Sequence, residues 1–167
     1  PRGSDLDPDE LVRDNAQWII EKKREYDRYR EEAPDRQFEV GEQFPFLGRQ
    51  FTLEVEDVEE HAVEDDDLIL AETKVESSSI QDELERLYRR EAKDHISERV
   101  DHFADEMGVE YESVTVRNQR TRWGSCSAKE NLSFNWRLLM APPDVLDYVV
   151  VHELAHLMEK NHTRRFW

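Results

Sequence analysis

The pentapeptide His152-Glu153-Leu154-Ala155-His156 constrains this chain more than any other feature, because it requires a helix set into a core that still presents ionisable groups. Residues four apart on an α-helix stand one above the other, so the two imidazoles can share one metal ion. Glu153 lies one step round the helix. There its carboxylate can reach the water that a metal activates without ligating the metal, which is the position of a general base. The flanks suit a helix buried in a domain: Val149, Val150 and Val151 precede the motif, and Leu157 and Met158 follow it without a charge.

A zinc hydrolase site keeps one coordination position open for water, so a third protein ligand is expected. His162, six residues beyond His156, is the candidate, and Asn161 can take the left-handed conformation that ends a helix and turns the chain back. Metzincins share the spacing H-E-x-x-H-x5-H but have a glycine at the third intervening place, where this chain has Glu159. The alternative is that His162 only caps the helix end, where a cation is favoured, and that a Glu or His beyond Trp167 completes the set.

An ordered series of motifs surrounds this helix. It comprises Arg120-Thr121-Arg122-Trp123-Gly124-Ser125-Cys126-Ser127, Ala141-Pro142-Pro143, Asp147-Tyr148 leading into the His152 motif, Asn161-His162 and Phe166-Trp167. In these residues the chain resembles the YgjP-like metallopeptidase family, densely from about residue 114 to 167. Upstream the likeness is looser, with Trp18, Phe46-Leu47-Gly48 and Phe51 in the expected order. The resemblance implies a zincin-like α+β domain with one Zn2+ on His152, His156 and His162, and Glu153 as the catalytic carboxylate. It also implies kinship with SprT-like and Wss1-like peptidases that act on proteins crosslinked to DNA. Some members of the family are instead described as UTP pyrophosphatases. A peptide or protein substrate is therefore the first expectation and a nucleoside triphosphate the second, since the same metal chemistry serves a carbonyl or a phosphorus centre. A non-catalytic, zinc-stabilised interaction domain is the third.

The segment before the helix reads in two ways. For a nucleotide, Arg120 and Arg122 would act as forks on phosphate oxygens, with Gly124 and Ser125 as close backbone donors. Otherwise the arginines pair with local carboxylates, and Trp123 packs in the core. Cys126 is the one cysteine, which excludes an intramolecular disulfide and leaves a buried thiol beside the site as its expected role.

Charge speaks to habitat. Forty Asp and Glu against 23 Lys and Arg give a formal net charge of −17, and only 6 of the basic residues are lysines, a balance resembling that of proteins from salt-rich cytoplasm. In molar salt the Debye length is only about 3 Å, so such a surface is screened. The same charge disfavours a broad nucleic-acid-binding face. Disorder is the competing explanation, but 37% apolar residues in clear periods argue for a folded core. No apolar run approaches the roughly 20 residues needed to cross a bilayer, and no signal peptide opens the chain, so a cytoplasmic protein without a membrane partner is expected. The chain also reads as a fragment at both ends.

The fold expected is α+β: one domain over residues 1–167, a small twisted sheet packed on helices, with the active-site helix near the C-terminus. Residues 1–36 form a helical region that Asp7-Pro8-Asp9-Glu10 opens and Ala33-Pro34-Asp35 closes. Residues 37–75 hold a hairpin in which Phe44, Phe46, Phe51, Leu53 and Val55 alternate around Leu47-Gly48-Arg49. An acidic loop over residues 56–67 and a weak strand at Leu68-Ile69-Leu70 follow; Glu64-Asp65-Asp66-Asp67 lacks the spacing of a calcium loop. Residues 76–167 hold a long helix from Ser78-Ser79 to Gly108, a strand through Val114, Val116 and Asn118, a return strand through Leu132, Phe134 and Trp136, and the metal helix from Pro142-Pro143-Asp144 to Lys160. His95 and His102, on the long helix, read as exposed or locally satisfied histidines.

Overall fold

Leu47 and Gly48 turn the first strand pair back on itself, both at positive φ (46° and 74°), as a two-residue type I′ hairpin requires. They join β1 (Gln43–Phe46) to β2 (Arg49–Glu56), and Phe44, Phe46, Phe51 and Leu53 are buried on the inward face. The computed structural model describes residues 36–119 and 121–159, and the elements discussed all belong to the unit Phe38–Trp167. The helix expected between Asp7 and Ala33 lies outside the described residues, as do Arg120, Lys160, Asn161, His162, Phe166 and Trp167.

The acidic segment is more ordered than its composition suggests. Its second half forms β3 (Ala62–Glu64), which turns through Asp65-Asp66 into β4 (Asp67–Ala71), with Asp65 at φ 49°. Aspartate tolerates that region better than most residues, so a charged tetrad serves as the corner of a hairpin. β4 pairs antiparallel with β3 and parallel with β2, giving a mixed sheet in the order β1-β2-β4-β3. Leu68, Ile69, Leu70 and Ala71 are all buried, because a central strand covered on both faces does not alternate.

A short helix α1 (Glu72–Glu76), unannounced by any periodicity, leads to α2 (Ile80–Met107). Ser79 caps α2 by accepting from the Asp82 N–H at 3.1 Å, and Gly108, at φ 65°, ends it. Leu84, Tyr88, Ala92, Ile96, Val100 and Ala104 are buried at intervals of four, one stripe along the whole helix. The Tyr88 hydroxyl donates to the Pro45 carbonyl at 2.6 Å and ties α2 to the hairpin. Where β3 meets α2, His61 is 8% exposed, accepts the Ala71 N–H at Nδ1 and donates from Nε2 to Glu83, itself 1% exposed.

The second sheet corrects the expected strand pair. β5 (Ser113–Arg117) and β7 (Asn131–Asn135) run parallel, and the antiparallel partner of β7 is β6 (Gly124–Cys126), inside the segment that precedes the metal helix. The order is β5-β7-β6. Asn118 lies beyond β5, and Trp136 opens a 3-10 helix (Trp136–Met140) instead of extending β7.

The metal-motif helix is α3 (Pro143–Met158), opened by its first-turn proline. Three contacts place it. The Leu47 N–H donates to the Leu139 carbonyl at 2.7 Å, a Cβ on Gly48 would come within 2.9 Å of Pro142 Cα, and Arg99 of α2 bonds Asp147 with two nitrogens at 2.6 and 2.8 Å. Only one stripe of α3 is buried: Leu146, Val150, Glu153 and Leu154. Val145, Tyr148 and Met158 are exposed, so an uncharged sequence does not here mean a helix covered on every side. Tyr148, His152 and His156 recur every four residues on a face that must stay open for the imidazoles to be reached. No helix among the described residues is long and apolar enough to cross a membrane.

Candidate active site

The carboxylate of Glu153 is 6% exposed and sits against β6 where that strand has no side chain. A Cβ on Gly124 would stand 2.5 Å from Glu153 Oε1 and 2.6 Å from its Cγ, so the glycine is what lets α3 and β6 close on each other with a glutamate between them. The Cys126 backbone N–H donates to the same carboxylate, and the Arg122 guanidinium pulls on it through space. Burial outweighs both and raises the Glu153 carboxyl to about 7. A glutamate held near neutrality can both take and return a proton.

One turn away, the rings of His152 and His156 lie 5.0 Å apart at 89°, both at the mouth of the same pocket. His156 Nδ1 faces the Glu159 carbonyl at 3.3 Å. A proton there makes Nε2 the nitrogen that carries the lone pair, the tautomer found in histidines that ligate metals. Tyr148 packs beside His152 with ring centroids 6.0 Å apart. Two imidazoles so placed suit a divalent metal of zinc's type. Among the described residues no group of three or more His, Cys, Asp or Glu is placed to share a metal.

The pocket measures about 440 Å³. Of the residues singled out from the sequence, Arg122, Gly124, Ser125, His152, Glu153 and His156 all line it; Arg120 and His162 lie outside the described residues. Cys126 lines it too, half-buried rather than buried. Trp123 corrects the expectation of a core residue, being 55% exposed beside the pocket. Sequence reading missed Ser127 and Ala128, which continue the wall past β6, and Asn135. Asn135 receives nothing from the metal helix, yet it holds the loop before β6: its backbone N–H donates to Trp123 O at 2.8 Å and its Nδ2 to Gln119 O at 2.8 Å. A buried-strand pattern, Leu132 and Phe134, ending in an asparagine was the available signal.

An α+β fold that presents an H-E-x-x-H helix against an edge strand defines a metallohydrolase class. The family model for the YgjP-like metallopeptidase domain matches residues 1–167, and the chain belongs to that family. Among solved structures, the metallopeptidase zymogen of Methanocaldococcus jannaschii jannalysin is similar over 42% of this chain and 73% of its own, at 22% identity and a TM-score of 0.40. No curated protein matches the chain.

Proposed function

We propose that this is a zinc-dependent peptidase of the YgjP-like family, with Glu153 as general base and His152, His156 and His162 as the ligands of one zinc ion. The observation that carries the reading is the buried Glu153 carboxylate, raised to about 7 and lodged beside two imidazoles in one pocket. A divalent metal held there supplies Lewis acidity toward water and the scissile carbonyl. Glu153 takes the proton of the attacking water and returns it to the leaving amine, a double duty that suits a carboxyl near neutrality. β6 is an edge strand beside α3, and its backbone offers hydrogen bonds to an extended peptide. Arg122, Gly124 and Ser125, on the opposite wall from the histidines, orient the substrate.

The second reading, UTP pyrophosphatase, draws on Arg122 at the pocket. Hydrolysis of an unfolded protein and of UTP, side by side in molar KCl, tests both. The account expects cleavage of the protein alone, falling by about 10²–10⁴ in Glu153→Gln. Glu153-dependent release of pyrophosphate with the protein intact would reverse the order. Silence on both, with zinc bound, would favour the interaction domain.

A further inference from the structure

Behind the edge strand the pocket continues into a second groove of about 420 Å³ on the opposite face of the small sheet, and the two share Arg122, Ser125 and Ser127. Its floor is polar by register. Thr115 of β5, Ser133 of β7 and Ser125 of β6 stand opposite one another, a row of hydroxyls across all three strands. The other face of the same strands carries Val114, Leu132 and Cys126 toward the core.

Two arginines border this floor, and their situation is unusual for so acidic a chain. Arg49, Arg86, Arg89, Arg90 and Arg99 each meet a carboxylate, and Arg137 bonds Asn118 and lies over Trp136. Among the described residues Arg117 has neither an ion pair nor a hydrogen bond, and Arg122 acts on Glu153 only through space. Among the described residues, then, no carboxylate pairs directly with either guanidinium, although Glu153 lies within electrostatic reach of Arg122. Gln119 adds an acceptor: its Nε2 donates to Ser133 Oγ at 3.2 Å, while its buried Oε1 has no partner among the described residues. The Thr115 hydroxyl donates to the Leu132 carbonyl at 3.3 Å, so the groove offers an anion two arginines and the hydroxyls of Ser125 and Ser133, and offers one N–H the Gln119 acceptor.

We propose that this groove is a specificity subsite for an acidic side chain of the substrate, an Asp or Glu close to the scissile bond, held by Arg117 and Arg122 while a neighbouring peptide N–H meets Gln119 Oε1. The inference rests on the peptidase reading. It favours a peptide over a bare polyphosphate because only the peptide brings a donor along with the anion.

The test is equilibrium binding, by fluorescence anisotropy at fixed ionic strength, of labelled alanine-rich decapeptides carrying one Asp at successive positions, or Asn in its place, to zinc-loaded Glu153→Gln protein. At the best position the Asp peptide binds about tenfold tighter than its Asn counterpart. Adding Arg117→Gln brings the ratio below about twofold, and Arg117→Lys restores part of it. A ratio near one in the parent protein, or one that survives Arg117→Gln in a variant with an unchanged melting temperature, overturns the subsite. Displacement of the Asp peptide by tripolyphosphate at far lower concentrations than by unlabelled peptide overturns the peptide assignment. If wild type cleaves none of the peptides while the ratio holds and depends on Arg117, the peptidase reading fails and the anion site stands.

Discussion

At the scale of single residues, Gly124 and Glu153 form the pair on which the site turns. A methyl group on Gly124 has no room beside the glutamate, so Gly124→Ala displaces the carboxylate by an ångström or so. Misplacement of that size costs about 10² in rate, and the account expects this loss in kcat/KM with zinc content unchanged. Retained activity would mean that Glu153 does not act from where it sits. The raised Glu153 carboxyl also has a signature in stability. In metal-free protein its folded value of about 7 exceeds the ordinary carboxyl value, so its stabilising contribution is full below about pH 4.5 and is lost as pH rises through 7. Glu153→Gln removes this slope. Between pH 5 and 8, metal-free wild type therefore loses up to about 3 kcal/mol relative to the mutant, read by denaturant melts, and parallel curves would contradict the burial argument. The placing of His152, Glu153 and His156 at one pocket was legible because it follows from helical spacing alone. Asn135 and Gln119 were not, since their partners lie across a parallel strand pairing that no local pattern encodes.

At the scale of elements, helix boundaries were the most readable part of the fold. Ser79 and Gly108 delimit α2 where capping chemistry puts them, and Ser79→Ala is expected to cost about 1 kcal/mol by thermal unfolding. Strand pairing was less readable. β6 contains a glycine, a serine and a cysteine, an arrangement with weak strand preference, and it is a strand because it pairs with the buried β7 and supports α3. Likewise the hairpin β3–β4 hides in an acidic run because its corner is made of aspartates. The His61–Glu83 pair that fastens this hairpin to α2 joins residues 22 apart, and its burial depends on tertiary packing. Glu83→Ala leaves the His61 Nε2–H without its acceptor and is expected to destabilise by about 3 kcal/mol in urea titrations, whereas a change under about 1 kcal/mol would show the pair to be dispensable.

For the whole molecule, a net charge of −17 sets self-repulsion against a core of ordinary composition. Salt screens that repulsion, so the melting temperature is expected to climb between 0.1 and 2 M KCl and to climb less in a variant with several surface acids changed to amides. A flat curve would remove the case for adaptation to salt. The charge also frames the site: in so acidic a chain Arg117 and Arg122 line the groove that shares Arg122, Ser125 and Ser127 with the imidazole pocket. The most direct test of the account is to strip the protein with a chelator, confirm that it remains folded, and follow cleavage of an unfolded protein as zinc is returned. The account predicts no cleavage without metal and a linear rise to a plateau at one zinc per chain, absent in His152→Ala and His156→Ala. Cleavage that survives chelation, or no cleavage at any zinc load, would contradict it.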